Sequence, residues 1–326
     1  MTFRSGLRKL CLAALSFAVV PAAASAEDYP TKPIRIITSY GGGGEAIARL
    51  LGEKIGSTLK QPVVVEPMPA AAGVQAARTV ARAAPDGYTL LAGSSITHIL
   101  KPLTLKAISY DPVRDFTPLT FLYESTTVMA VRADLGITDV PALLERSKNT
   151  RTLMGASGVG TMAHVYMVSL NKTTGGALEL VPFKDEGSLA LNLLGGNVDA
   201  AIISGGTISR TLQSADNAQK IRVIGVFSRG PRPGFESVKA VSEQVPGFQT
   251  VSVFAALWGP AGMPREIVMR LNAAIREALQ DPVIRERMLA MGVIASPGSP
   301  EQLDATIRDG LPKVSALLKE AGIEPE

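Results

Sequence analysis

The chain has 326 residues, of which 46% are apolar, 19% are charged and only 5% are aromatic. This apolar content excludes a disordered or collagen-like chain, and a chain of this length usually folds as two domains. The formal net charge of +4 comes without a cluster of lysine and arginine, which excludes the footprint of a nucleic-acid-binding protein.

The first 26 residues are typical of a secretory signal peptide. Residues 2–9 carry basic side chains and no acid, residues 10–20 are apolar, and small residues precede a predicted cleavage site after Ala26. The apolar run is too short to span a membrane, and Cys11 lies too close to the basic start to be a lipid attachment site. Cleavage leaves a chain of net charge +1 without cysteine, which suits a periplasmic protein and excludes thiol catalysis and cysteine–zinc sites.

The exported chain begins with alternating strand and helix patterns. Repeated strand–loop–helix units are typical of a parallel sheet with helices on both faces. In the first third, the predicted strands are 34–38, 63–66 and 88–92, and the predicted helices are 46–59 and 74–84. The pattern recurs with strands at 152–156, 178–181, 198–203 and 221–227 and helices at about 159–170 and 187–194.

The last quarter of the chain has helical patterns almost throughout. A helix is predicted over residues 264–279, and Asp281 is the predicted N-cap of the next helix, because a proline follows it. Ser299 and Gln302 form a capping box that predicts the start of the last helix.

Two long extended stretches, 116–132 and 250–260, separate these groups of elements. Either stretch is long enough to cross between domains, and two crossings give a discontinuous first domain around a continuous second one. We therefore predict a first lobe of residues 27–125 with 251–326, a second lobe of residues 126–250, and a cleft between them.

Four loops that follow predicted strands are rich in glycine, serine and alanine. In open parallel α/β sheets, ligands bind beyond the carboxyl ends of the strands, where loops lead into helix N-termini. Small residues let a ligand approach the backbone, and free N–H groups at a helix start favour an anion such as a carboxylate or a phosphate. The sequence therefore predicts an anion site built by residues 39–44, 69–73, 93–97 and 155–161.

Other chemistries have weaker support in the sequence. Residues 41–46 fit the G-x-G-x-x-A pattern of a dinucleotide-binding enzyme, with Glu66 at the end of the next predicted strand. However, four consecutive glycines satisfy almost any glycine pattern. No G-x-S-x-G elbow is present, and the two histidines, His98 and His164, lack the spacing of a metal pair. We expect no catalysis, no metal and no cofactor, with the dinucleotide enzyme as the alternative.

Six motifs follow one another along the exported chain: YPTKPIR at 29–35, QPVVVE at 61–66, PDGYTLL at 85–91, YDP at 110–112, LGGNVD at 194–199 and WGPAG at 258–262. Together they resemble the tripartite tricarboxylate transporter substrate-binding proteins, also called Bug proteins. The resemblance implies a two-lobed periplasmic-binding-protein-like (type II) α/β fold that closes on a small carboxylate. It also implies delivery of that ligand to membrane permease subunits. We expect a periplasmic monomer, and a ligand-sensing receptor without transport stays open as an alternative.

The resemblance further implies the ligand contacts. The first loop lacks the aspartate of the family pattern, and the second, PMPAAAG at 67–73, lacks two of its glycines and an arginine. Hydroxyls and backbone N–H groups suit a carboxylate because they donate to both oxygens without burying a full countercharge. Glu186 or the neighbouring Asp185 would favour a ligand that also carries an amine. The predicted contacts are Tyr40, Gly43, Gly44, Gly73, Ser94, Ser95, Ser157, Gly160, Thr161, His164, Lys184 and Asp185.

Overall fold

The computed structural model describes residues 29–228 and 234–325. The predicted signal peptide, including Cys11, therefore lies outside the described residues. Across the described ranges, no helix combines the length and apolar character needed to cross a membrane. The strands are β1 (Ile34–Thr38), β2 (Val63–Pro67), β3 (Thr89–Ser94), β4 (Phe116–Ser125), β5 (Thr127–Arg132), β6 (Thr152–Ala156), β7 (Leu178–Pro182), β8 (Ala200–Ser204), β9 (Ile221–Val226), β10 (Val253–Pro260) and β11 (Val293–Ala295).

The helices lie between these strands and after them. They are α1 (Gly42–Leu59), α2 (Val74–Ala81), α3 (Lys101–Thr104), α4 (Val140–Asn149), α5 (Met162–Thr174), α6 (Glu186–Leu194), α7 (Gly205–Thr211), α8 (Ala215–Lys220), α9 (Val241–Gln244), α10 (Arg265–Gln280), α11 (Pro282–Ala290) and α12 (Pro300–Ala321). Both predicted caps in the last quarter are confirmed. Asp281 accepts the N–H groups of Val283 and Ile284, and Ser299 forms a capping box with Gln302.

The first sheet has the strand order β11-β4-β10-β3-β1-β2. β1 is parallel to β2 and β3, whereas β10 is antiparallel to β3 and β4, and β11 is antiparallel to β4. Helices α1, α10 and α11 cover one face, where Ile36, Leu51 and Leu271 share a core. Helices α2 and α12 cover the other face around Ile37 and Val80. Apolar side chains therefore lie on both faces of this sheet, as is typical of a sheet covered by helices on both sides.

The second sheet has the strand order β7-β6-β8-β5-β9. β6 is parallel to β7 and β8, and β5 is antiparallel to β8 and β9. Helices α4 and α5 pack on one face through Leu143 and Tyr166, and α6 packs on the other through Leu189. Neighbouring residues of β8 point to opposite faces, with Ile202 on one side and Ile203 on the other. This alternation follows from the two-residue period of a strand.

Both sheets share one arrangement. In each sheet, three parallel strands lie side by side, and their spatial order is second, first, third in chain order. Next to the third lies a strand that arrives from the other sheet and runs antiparallel to both of its neighbours, and a fourth strand follows it. The prediction of helices on both faces is confirmed, but the prediction of a parallel sheet is wrong, since both sheets are mixed. The hydrophobic pattern identifies β5 and β10 as strands without showing their direction. That direction follows from where the chain enters each sheet.

Several predicted boundaries shift. Helix α1 begins at Gly42, four residues before the predicted start, and α2 ends at Ala81, three residues before the predicted end. The predicted strand 88–92 extends to Ser94 as β3. The extended stretch 116–132 contains β4 and β5, which belong to different sheets. Helix α4, which the sequence pattern did not indicate, begins where Asp139 accepts the N–H of Ala142.

A fully buried histidine lies behind β3. The His98 ring stacks on Trp258, with 3.7 Å between ring centroids, and meets Phe116 edge-on. Its Nδ1 lies 3.0 Å from the Thr97 hydroxyl, and its Nε2 has no hydrogen-bond partner among the described residues. Burial lowers the pKa of His98 from 6.5 to about 3, because the charged imidazolium would lose its hydration.

We predict that the protein loses stability as the pH falls below 6.5. The unfolded chain then binds a proton that the folded His98 excludes until the pH reaches about 3. At about 1.36 kcal/mol per pH unit, this should lower the free energy of unfolding by about 2.5 kcal/mol between pH 7 and pH 4.5. Urea unfolding at the two pH values measures the loss.

His98→Phe keeps an aromatic ring against Trp258 and removes the titrating group. Most of this pH dependence should therefore disappear in the variant. His164→Gln removes the half-buried histidine, whose pKa burial also lowers, and should reduce the pH dependence less than His98→Phe does. A His98→Phe variant with the full wild-type pH dependence would show that His98 is not its source.

Candidate functional site

The parallel strands of both sheets end near the point where the chain first crosses from the first sheet to the second. β4 ends at Ser125 and β5 begins at Thr127, so that the first crossing between the two sheets is the single residue Thr126. In the first sheet, β4 runs in the same direction as β1 and β3. In the second, Thr127 pairs with Ser204, the last residue of β8. The N–H of Gly205 donates to the Thr126 carbonyl over 2.6 Å. The loops after β1, β3, β6 and β8 therefore surround this junction.

Two buried hydroxyls lie at this edge of the first sheet. Ser39, directly after β1, is 6% exposed, and Ser95, directly after β3, is 5% exposed. Neither hydroxyl has a hydrogen-bond partner among the described residues. Buried polar groups are normally paired, so these two hydroxyls at adjacent strand ends are candidate contacts for a polar ligand. By contrast, the Ser94 hydroxyl accepts the N–H of Ile96 over 3.2 Å and supports the turn.

The four consecutive glycines form the start of α1. Its N-cap, Gly41, supplies no side chain to the first N–H groups of the helix, and Gly43 is exposed. Gly44 lies against the Tyr40 ring, where an added Cβ would come within 2.6 Å of a ring carbon. Burial and the neighbouring Tyr123 raise the pKa of Tyr40 well above its usual value, which keeps its hydroxyl protonated as a donor.

The second loop is strained. Ala71 and Ala72 both have a φ of 52°, in the left-handed region that glycine adopts without steric cost. Gly73 follows with a φ of 84°, and a Cβ there would lie 2.4 Å from the Ser39 Cβ and 2.9 Å from a Thr97 methyl group. Gly73 is therefore required for close approach to the Ser39 loop, and it positions that loop whether or not it contacts a ligand.

The loop after β6 is held by its own hydrogen bonds. The Thr161 hydroxyl caps α5 by accepting the N–H of His164, and it donates to the Gly158 carbonyl over 2.9 Å. The N–H of Gly160 donates to Nδ1 of His164 over 3.1 Å. This differs from the expectation that the Gly160 N–H donates to a ligand, because His164 already accepts its hydrogen.

His164 is held in one neutral form by these contacts. Burial lowers its pKa, and an Nδ1 that accepts a hydrogen bond leaves the proton on Nε2. Ser157 and Thr161 are half-buried on the same loop. The second sheet thus places the half-buried Ser157 hydroxyl and the neutral His164 ring at its carboxyl edge.

The charged residues after β7 have separate roles. Asp185 is the N-cap of α6 and accepts the N–H of Ser188 over 2.8 Å, while Lys184 is exposed. The Glu186 carboxylate accepts the N–H of Ser204 over 3.0 Å, the Ser204 hydroxyl, and the Thr207 hydroxyl over 2.8 Å. The structure thus gives Asp185 a capping role that the sequence analysis did not assign. Glu186 joins the start of α6 to the end of β8.

The loop 204–207 was missed as part of the site. Its sequence, Ser-Gly-Gly-Thr, follows a predicted strand and carries the same small-residue signal as the four predicted loops. Gly206 packs against the turn between α11 and β11, where an added Cβ would lie 2.7 Å from the Met291 carbonyl. Ser39 and Thr97 lie in predicted loops but were not named as contacts. Their burial in the folded protein distinguishes Ser39 and Thr97 from the exposed residues of these loops, and the sequence does not show it.

The dinucleotide alternative loses its acidic residue. Both carboxylate oxygens of Glu66 accept hydrogen bonds from the Arg35 guanidinium, over 2.9 and 2.7 Å, on the neighbouring strand β1. Both carboxylate oxygens of Glu66 are therefore already used by Arg35, whereas a dinucleotide site would need them to accept a hydrogen bond from a ribose hydroxyl. No group of three histidine, cysteine, aspartate or glutamate side chains that could hold a metal ion occurs within residues 29–228 and 234–325.

Comparisons with known proteins agree on one family. The model of the tripartite tricarboxylate transporter family receptor matches residues 47–323. A UPF0065 protein of Bordetella bronchiseptica is 31% identical over 320 residues, which are 98% of this chain and 94% of the relative. The structure of the periplasmic binding protein BugD is similar, with a TM-score of 0.72, 27% identity and coverage of 91% of this chain and 100% of that one. Rpa4515 of R. palustris, solved with adipate, gives a TM-score of 0.76, 25% identity and coverage of 92% and 100%.

We predict that Ala72→Gly stabilises the protein by about 1 kcal/mol, because glycine relieves the left-handed strain at this position. Thermal unfolding of the wild type and the variant measures the change. Ala70→Gly, at the start of the same turn and without a positive φ, should instead cost about 0.5–1 kcal/mol in unfolded-state entropy. Destabilisation by both substitutions would contradict strain at Ala72.

Proposed function

The chain belongs to the tripartite tricarboxylate transporter receptor family, and from this premise we propose that it captures a small carboxylate outside the cytoplasmic membrane and delivers it to a membrane permease. This family consists of transporter receptors rather than enzymes, and the chain has the two-sheet α/β fold of a periplasmic binding protein. The observation that carries the ligand proposal is the pair of buried, unpaired hydroxyls of Ser39 and Ser95.

A carboxylate fits this site chemically. Its oxygens accept hydrogen bonds only, and the unpaired groups at the first edge are hydroxyls that can donate. Free N–H groups at the start of α1 add donors and the positive end of a helix dipole. A related protein of the same fold is solved with adipate, a dicarboxylate. We retain the predicted contacts other than Gly160, whose N–H donates to His164, and add Ser39 to them.

Ligand capture on this proposal is a closure of two lobes. The first lobe, residues 27–125 with 251–326, holds β1–β4, β10 and β11, and the second lobe, residues 126–250, holds β5–β9. Thr126 and the return stretch before β10 are the connections about which the lobes would turn. The Tyr166 hydroxyl of α5 donates to the Val251 carbonyl of this return stretch. A ligand that contacts both carboxyl edges favours the closed state by those added contacts.

The proposal includes export and a partner. Cleavage after Ala26 would release residues 27–326 into the periplasm, where the family's transporter receptors act. The closed, loaded monomer would present both lobes to the permease subunits. The proposed ligand contacts lie between the lobes. The permease would therefore recognise the closed arrangement of the two lobes rather than contact the ligand directly.

A calorimetric titration of residues 27–326 tests the ligand class. The panel holds monocarboxylates, dicarboxylates, tricarboxylates, amino acids and, as a control for the dinucleotide enzyme, NAD⁺. We expect at least one carboxylate to bind and NAD⁺ to give no heat. Binding of NAD⁺ alone would refute the proposed function.

Ser95→Ala should weaken binding of that carboxylate about tenfold, because a lost hydrogen bond to a charged group costs about 1.5 kcal/mol. Ser147→Ala is the matched control, a buried serine that donates to the Leu144 carbonyl and accepts the Ala177 N–H far from the crossing. It should lower stability and leave affinity unchanged. Equal affinities for wild type and Ser95→Ala would remove Ser95 from the site.

A further inference from the structure

The second carboxyl edge already contains a carboxylate. Glu186 accepts hydrogen bonds from the Ser204 N–H, the Ser204 hydroxyl and the Thr207 hydroxyl, so three donors at the end of β8 are saturated by the protein itself. Ser204 pairs with Thr127 at the crossing. The Ser157 loop follows β6, the neighbour of β8 on its other side. Glu186 therefore places a fixed negative charge beside the predicted ligand contacts of the second lobe.

No cation in the predicted loops balances this charge. Residues 39–44, 69–73, 93–97 and 155–161 contain neither lysine nor arginine. Two exposed cations lie nearby on the second lobe: Lys184 is two residues before Glu186, and Arg210 donates to the Thr207 hydroxyl over 3.3 Å. Water screens exposed charges, whereas like charges repel strongly at short range where water is scarce. A second acid group on the ligand would therefore meet Glu186 with these solvent-exposed cations as its countercharges.

Apolar side chains are exposed on both edges instead. Ile96, next to Ser95, is 38% exposed, and Val159, between Gly158 and Gly160, is 66% exposed. The two residues lie on loops that follow β3 and β6, one from each lobe. The exposed methyl groups of Ala70, Ala71 and Ala72 extend the apolar surface on the first edge. Burial of such groups against a hydrocarbon is favourable, whereas against a second carboxylate it is costly.

We propose that the ligand is a monocarboxylate with an apolar body, bound by its acid group at Ser39 and Ser95, and that Glu186 is a specificity-determining residue that disfavours a second acid group. The inference rests on the proposed function and narrows its ligand class. The proposed monocarboxylate differs from the diacid adipate, with which the related Rpa4515 was solved.

Matched pairs of acids test the proposal on residues 27–326 by calorimetry. Hexanoate and adipate share one chain length, as benzoate and terephthalate share one ring, and within each pair only the second carboxylate differs. At least one monoacid should bind about tenfold more tightly than its diacid, because the diacid adds a like charge beside Glu186. Glu186→Gln removes the charge and should narrow that ratio at least threefold.

Four results would overturn the proposal. A diacid that binds as tightly as its monoacid, or an unchanged ratio in a folded Glu186→Gln variant, contradicts the role of Glu186 and leaves carboxylate capture intact. Tighter binding of 6-aminohexanoate than of hexanoate contradicts the apolar body, since it shows that Glu186 selects an amine. If no carboxylate in the panel binds, the proposed function falls together with this inference.

A second pair of variants tests the apolar wall separately. Val159→Thr keeps the shape of the side chain and adds a hydroxyl, so it should weaken the preferred monoacid about threefold or more. Val64→Thr is the matched control, because Val64 is 45% exposed on β2, outside the predicted loops. It should leave the affinity unchanged. Equal affinities for Val159→Thr and Val64→Thr would remove Val159 from the ligand surface.

Discussion

The structure depends on a crossing that is one residue long. Because β4 ends at Ser125 and β5 begins at Thr127, the connection is too short to turn the second sheet away from the first. The edge of the first sheet at which β4 ends therefore faces the edge of the second sheet at which β5 begins. Both edges carry the carboxyl ends of parallel strands, which are the ends where ligand loops form in α/β sheets. The location of the site follows from this connection.

The return of the chain completes the same arrangement. β10 comes back from the second sheet and inserts between β3 and β4, just as β5 inserts between β8 and β9. Each inserted strand runs antiparallel to its neighbours, and each sheet thereby acquires a central strand that begins at the junction. The one-residue crossing at Thr126 and the longer return before β10 are the points about which the proposed closure would turn.

The site combines neutral donors with charges that are already satisfied. Ser39 and Ser95 offer hydroxyls without a partner, whereas Asp185 and Glu186 are used by helix starts and by the Ser204 loop. A buried carboxylate is stable among neutral donors when enough of them point at its oxygens, and no buried countercharge is then needed. The strain at Ala72 is compatible with this arrangement, because the loop is held by the close contact of Gly73 with Ser39.

Much of this was available from the amino-acid sequence. Local patterns determined most strands, the capped helix starts at Asp281 and Ser299, and the small-residue loops, because those features depend on residues close together in the chain. The tertiary structure decided what depends on distant residues. It set the direction of β5 and β10, the pairing of Glu66 with Arg35, the use of the Gly160 N–H by His164, and the burial of the Ser39 and Ser95 hydroxyls. A hydroxyl in a loop has the same sequence signal whether it is solvated, paired or left without a partner, and only packing distinguishes these states.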